Sequence, residues 1–173
     1  MAFYSSNSFS NLESSPQVTS EIKDMTNDQI SQLDPEQKTI QVFNQLRKDN
    51  LEILDAYYAR ELVFEDPLGK IEGLDSMKKY YAVMYDNVID IKFEFIKTVG
   101  SGKEFFFRWK MILRSSGLRG GEPISVEGGS MIIFNDQNLV VYHRDFFDMG
   151  EMIYEHIPIL RTVIKSIKGR FAH

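Results

Sequence analysis

The 173-residue chain predicts an α+β fold in which N-terminal helices cover one face of a curved antiparallel sheet. Three observations carry that expectation. Apolar residues recur at helical spacing through the first half of the folded part, then switch to strict alternation from Val88 onward. Turn-forming residues separate the alternating runs. The 43% hydrophobic and 13% aromatic content supplies enough apolar surface for one sizeable core.

Residues 1–33 read as a disordered serine-rich tail. Seven of the first twenty residues are serine and no apolar period runs through them, so burial cannot offset the entropy of ordering. The folded domain is expected over residues 34–148. Asp34 can cap a helix, Pro35 suits its first position, and Gln37 stands where a capping box places its partner. Ile40, Phe43 and Leu46 then form a helical stripe. NLEILDAYYARE predicts a second helix, capped by Asn50 and carrying Leu51, Leu54, Tyr57 and Tyr58. LDSMKKYYAVMYDNV predicts a third, with Leu74, Met77, Tyr81 and Met84 on one side.

The strands follow. VIDIKFEFI sets Ile89, Ile91, Phe93 and Phe95 against Asp90, Lys92 and Glu94. KEFFFRWKMILRS repeats the pattern, with Phe105, Phe107, Trp109, Met111 and Leu113 on one face. Ser115 to Pro123 is a loop by composition. ISVEGGSMIIF is a third strand in which Gly128 and Gly129 suggest a bulge, and a tight turn over Asp136 to Asn138 leads into LVVYHRDFF, the fourth.

A net charge of −5 argues against a nucleic-acid binder. The absence of cysteine excludes disulfide, thiolate and cysteine-zinc chemistry, and three scattered histidines lack metal-ligand spacing, so no metal or cofactor is expected. Neither a leader-like start nor an apolar run of membrane-spanning length is present, and a cytoplasmic protein is expected.

Two places carry candidate chemistry. Parity in the last strand puts His143 and Asp145 on one face with Val141 and Phe147, where a carboxylate can hold an imidazole's tautomer for acid–base work or simply form a structural ion pair. Tyr142, Arg144 and Phe146 take the other face. Asp66 ends an apolar run before Pro67 and Gly69, which reads either as a turn residue or as a carboxylate placed at a strand end.

With these residues on the page, the order of elements and the string YYARELVFEDPLGKIEGLDSMKKYY resemble the NTF2-like superfamily, which includes SnoaL-like polyketide cyclases, ketosteroid isomerases and limonene epoxide hydrolases. The resemblance spans roughly Asp34 to Asp148 and implies a cone-shaped barrel whose helices and curved, mixed sheet enclose an apolar pocket. FEDPLG is similar to the isomerase string V-E-D-P-x-G, whose aspartate is the proton-shuttling base, and this implies that role for Asp66. Tyr58 and Tyr81 match two pocket tyrosines. The isomerase oxyanion tyrosine falls near Val42 or Phe43, and its protonated aspartate near Ser130, so that oxyanion hole is not reproduced. The site implied by the resemblance therefore has Asp66, His143 and Asp145 as catalytic candidates, with Tyr58, Tyr81, Phe64, Phe107, Trp109, Ser130 and Phe147 against the substrate.

Three classes of function stay open: an acid–base isomerase, cyclase or hydratase for a small hydrophobic substrate, a non-catalytic carrier or sensor of apolar ligands, and a dimerising interaction module. The resemblance implies a homodimer formed through the sheet face. Residues 149–173 read as a helical extension opened anew by Pro158, with Arg161, Lys165, Lys168 and Arg170 beside Ile159, Leu160, Val163, Ile164 and Ile167. Such a basic amphipathic helix suits peripheral contact with a membrane surface, packing across the barrel mouth, or a dimer interface.

Overall fold

The computed structural model describes residues 24–152, in which helices lie on one face of a six-stranded mixed sheet. Order begins before Asp34. Helix α1 (Asn27–Ser31) is capped by Thr26 in a true capping box with Gln29, and it buries Ile30 completely. The Gln45 amide grips the same segment, accepting from Met25 N at 2.9 Å and donating to Met25 O at 2.7 Å.

Helix α2 (Pro35–Gln45) starts where its cap predicts, with Asp34 Oδ1 accepting from Gln37 N at 2.9 Å. The expected second helix is instead a 3-10 segment, Leu51–Ala56, that stops before Tyr58. Asn50 makes no cap. Its side chain accepts from Arg47 N at 2.6 Å and donates to Gln45 O at 2.8 Å, bracing the bend after α2. Tyr58 opens strand β1 (Tyr58–Asp66), which turns through Pro67 and Leu68 into the short β2 (Gly69–Glu72). Helix α3 (Leu74–Met84) spans the expected stripe but ends before the expected segment does, burying Leu74 and Met77 and leaving Tyr81 and Met84 half-buried.

Strands β3 (Val88–Ser101), β4 (Glu104–Ser115), β5 (Ile124–Phe134) and β6 (Val140–Phe147) form the antiparallel meander that alternation predicts. β1 joins β6 in parallel, so the sheet runs β2-β1-β6-β5-β4-β3. The loop after β4 contains one 3-10 turn, Arg119–Gly121. Two strand details differ from expectation. A register shift between Val88 and Asp90 turns Ile89 outward, where it is 53% exposed. Gly128 and Gly129 form no bulge, because β4 and β5 stay in continuous register from Leu113↔Ile124 to Glu104↔Ile133. The glycines instead make room for rings: a Cβ on Gly128 would fall on the Trp109 indole, and one on Gly129 on the Phe106 ring.

The core lies between α2, α3 and the concave face of the sheet, where Val42, Leu54, Tyr57, Tyr58, Phe64, Phe107, Trp109 and Ile132 are all buried. Phe43 meets Phe93 and Phe95 edge-on at 5.1 and 5.7 Å between ring centres, anchoring α2 to β3. The last element among the described residues is α4 (Met149–Met152), whose Met149 and Met152 are buried. The expected basic helix beyond it, and the serine-rich residues 1–23, lie outside the described residues. Among the described residues no helix is long and apolar enough to cross a membrane.

Candidate functional site

Neighbouring parallel strands build the site. β1 and β6 pair Phe64 with His143 and Glu65 with Arg144, and one further step in that register brings Asp66 abreast of Asp145 at the carboxyl ends of both strands. Alternation sends Phe64 and Asp66 from β1, and His143 and Asp145 from β6, to the concave side.

His143 is fully buried. The Phe64 ring meets it edge-on at 5.0 Å, Phe43 lies tilted against it at 5.6 Å, and Tyr58 stacks on it at 6.0 Å. Both ring nitrogens are engaged: Nδ1 lies 2.6 Å from the Tyr58 hydroxyl and Nε2 lies 2.8 Å from Asp145 Oδ1. Ser130 Oγ donates to that same oxygen at 2.5 Å, and Trp109 Nε1 donates to Ser130 Oγ at 2.8 Å. One hydrogen-bonded line therefore runs from Trp109 on β4 through Ser130 on β5 to Asp145 and His143 on β6, and on to Tyr58 on β1. Tyr81 on α3 adjoins the Tyr58 hydroxyl at its far end.

Burial pushes the hydroxyls of Tyr58 and Tyr81 well above the ordinary tyrosine range, with each other and Asp145 among the smaller influences. Tyr57 is raised for the same reason, although its bond to Thr39 Oγ1 at 3.1 Å works the other way. These phenols stay protonated.

Asp66 is held differently. Its Oδ1 accepts from Leu68 N at 2.7 Å and from Gly69 N at 3.0 Å, closing the β1–β2 turn, and its Oδ2 accepts from the Tyr80 hydroxyl in a short bond. Burial, then that bond to Asp66, raise the Tyr80 hydroxyl. Asp66 and Asp145 both line an open cleft of about 490 Å³ whose other walls include Glu65, Lys70, Arg144, Phe146 and Phe147.

The structure thus brings together His143, Asp145, Ser130, Trp109, Tyr58, Tyr81 and Phe64. Phe107 is buried in the wall on β4, opposite Ser130 in register, and Phe147 lies at the cleft, 6.4 Å from Trp109 between ring centres. Asp66 stands beside this line without bonding to it. One residue joins the site that the helical and strand patterns did not single out: Tyr80, which bonds Asp66, was hidden by its neighbour Tyr81, because both fall within one turn of Met77. Phe43, from the expected stripe of α2, lies against His143. Among the described residues no cluster of three or more His, Asp or Glu is arranged to hold a metal.

The chain has an NTF2-like fold. It resembles an NTF2-like protein of unknown function from Burkholderia pseudomallei at 16% identity and a TM-score of 0.60, covering 77% of this chain and 99% of that one. A hypothetical protein with a ketosteroid isomerase-like fold from Catenulispora acidiphila, solved in complex with trimethylamine, matches at 11% identity and a TM-score of 0.59, over 72% and 94% of the two chains. An LEH-like epoxide hydrolase from M. tuberculosis matches at 17% identity and a TM-score of 0.54, over 72% and 90%. No curated protein matches the chain. The family model described as the SnoaL-like domain matches residues 39–143, and the chain belongs to that family.

Proposed function

We propose that this chain carries out acid–base chemistry on a small, largely apolar molecule that enters the cleft beside Asp145, and that Asp145 is the group that takes the proton. One observation carries the reading. Both donors to Asp145 land on Oδ1, among the described residues none meets Oδ2, and Asp145 alone in the buried line also borders the cleft. Fully buried His143, with both nitrogens engaged, orients the carboxylate and does not touch substrate. Asp66 closes its turn and holds Tyr80. Phe147, on the same face as Asp145, supplies apolar lining.

The chemistry needs no redox partner: a carbon-bound proton passes to Oδ2, and the electron pair it leaves is taken up within the substrate. A suitable probe is nitrobenzisoxazole, whose C–H electrons form a nitrile as its N–O bond breaks. Its leaving phenolate is stabilised by its own nitro group, so only a base is demanded of the protein. Turnover is expected, and Asp145→Asn should lower kcat/KM by about 10²-fold. Turnover that survives Asp145→Asn overturns the base assignment, and a parent chain without turnover leaves a carrier of apolar ligands. Native mass spectrometry of the purified chain, followed by identification of any small molecule released on denaturation, then names the natural ligand class.

We also propose self-association through the convex sheet face. Phe106 and Phe146 are 42% and 43% exposed there, with their rings 6.4 Å apart. Equilibrium sedimentation should show a dimer that Phe106→Glu converts to monomer, whereas a monomeric parent chain removes the proposal.

A further inference from the structure

We infer that Ser130 and His143 are positioning residues that load two hydrogens onto one oxygen of Asp145, and that Tyr58 steadies the His143 ring for this loading by pairing its other nitrogen. The inference rests on Asp145 being the base, and it names the atom that does the work: Oδ2.

A carboxylate oxygen that accepts two strong bonds spends both of its in-plane lone-pair directions. Oδ1 accepts from Ser130 Oγ at 2.5 Å and faces His143 Nε2 at 2.8 Å. Neither donor can turn elsewhere. Ser130 is fully buried and its oxygen already accepts from Trp109 Nε1 at 2.8 Å, so its single hydrogen is directed to Asp145. The indole can only donate, which fixes the direction of every bond upstream of the carboxylate.

The imidazole is held at both ends. A carboxylate oxygen can only accept, so Nε2 carries the hydrogen toward Oδ1, and among the described residues Nδ1 meets the Tyr58 hydroxyl, 2.6 Å away. Tyr58 is fully enclosed, and its hydroxyl also adjoins Tyr81. Removing that hydroxyl leaves Nδ1 without its partner and the ring free to tilt, so the Nε2 hydrogen is aimed less well at Oδ1 and the preference for Oδ2 weakens. The two donors come from different strands, β5 and β6, and the residues that direct them come from β4 and β1, so the carboxylate is held across four adjacent strands.

Trp109 is the chain's one tryptophan, so its indole N–H gives a single nitrogen-15 resonance that reports directly on Ser130. In the full-length chain, Ser130→Ala should move that resonance toward the position of a free indole. Asp145→Asn should move it too, through the altered acceptor of the Ser130 hydroxyl. Histidine nitrogen spectra should show His143 with hydrogen on Nε2, and Tyr58→Phe should leave it there while moving the Nδ1 resonance toward that of an unpaired imine nitrogen. With nitrobenzisoxazole, Ser130→Ala and Tyr58→Phe should each lower kcat by about tenfold with KM little changed, since the base is misaimed and the binding surface kept. An indole resonance indifferent to both Ser130→Ala and Asp145→Asn overturns the positioning role, as does His143 carrying hydrogen on Nδ1 in the parent chain. If Ser130→Ala does not fold, Asp145→Asn at its partly exposed position supplies the same indole readout. Loss of turnover in Asp145→Asn with none in Ser130→Ala and Tyr58→Phe overturns positioning alone. Turnover retained in Asp145→Asn overturns the base assignment itself, and positioning falls with it.

Discussion

Asp66 and Asp145 end neighbouring parallel strands, border the same cleft, and are held in opposite ways. Asp66 spends Oδ1 on two backbone amides of its own turn, two and three residues along the chain, and Oδ2 on Tyr80. Asp145 spends only Oδ1, on side chains of two strands. The first arrangement is local and saturated, so it stabilises a turn. The second is long-range and one-sided, so it presents a reactive atom. Carboxylates abreast on neighbouring strands are thus told apart by which oxygen is left over, a distinction that burial alone does not make.

The largest effect expected follows directly from that contrast. Asp145→Asn should abolish most nitrobenzisoxazole turnover, about 10²-fold, while leaving the thermal transition close to that of the parent. Asp66→Ala should do the reverse: turnover nearly unchanged, stability lower by about 2 kcal/mol in urea unfolding, because two turn amides and the half-buried Tyr80 hydroxyl lose their acceptor. If both variants lose activity and keep stability, the two carboxylates act together and the contrast drawn here is broken.

Much of this was legible before any coordinates. The Asp34 cap marks the start of α2, the alternation in β3 to β6 marks the meander, and simple parity puts His143 and Asp145 on one face of β6. The DP-x-G signal of Asp66 is a turn signal, and a turn is what the backbone amides make of it. What stayed hidden was every partner supplied from far away. Tyr58 reads as the end of a helix because YYAR continues an apolar stripe, yet it forms strand because Val140, eighty-two positions later, pairs with it in β6. The role of Ser130 depends on Trp109 crossing Gly128 to reach it, a contact between strands that no spacing within one strand encodes. Ile89 shows the converse limit: its alternation is perfect, and one register shift at its own position in β3 turns it to solvent.

A second, smaller effect sharpens the long-range half of the comparison. Gly128→Ala would place a methyl against the Trp109 ring and the Phe146 carbonyl, and should cost about 2 kcal/mol while pushing the indole off Ser130. Gly129→Ala meets the Phe106 ring on the convex face instead, and should cost a similar amount without moving the indole resonance. Urea unfolding together with the Trp109 nitrogen signal separates them. An unmoved indole in Gly128→Ala would mean that the line from Trp109 to Asp145 does not depend on that close approach.

Alkaline titration tests the neutrality that both halves need. Burial raises the hydroxyls of Tyr57, Tyr58, Tyr80, Tyr81 and Tyr85 above the ordinary 10.0. The folded values lie above the unfolded one, so this contribution is full below pH 10.0 and is lost as the pH rises further, the unfolded chain releasing protons that the folded chain keeps. Phenolate absorbance of these five should therefore appear together with unfolding and not before it. Early, reversible ionisation of several tyrosines in a chain that still gives the native far-ultraviolet spectrum would show that the site is open to water.

Lys38 supplies the smallest and most discriminating case, because it is long-range and buried but feeds no line. Its side chain is only 1% exposed, and Nζ donates to Asn138 O at 2.8 Å across one hundred positions of sequence. No ion pair to a carboxylate forms there among the described residues. Burial lowers its pKa, so between that lowered value and 10.5 the unfolded chain binds the proton more tightly than the folded one. Stability from this group therefore rises with pH across that interval. Lys38→Met removes the buried charge but leaves the Asn138 carbonyl without its donor, and the two effects should nearly cancel, within about 1 kcal/mol at neutral pH. As the pH rises toward 10, the parent sheds its penalty and should gain on the variant, which has no proton to lose. Turnover should not change. If Lys38→Met instead lowers turnover as Ser130→Ala is expected to, then long-range burial by itself, and not the one-sided loading of Asp145, would be what the activity depends on.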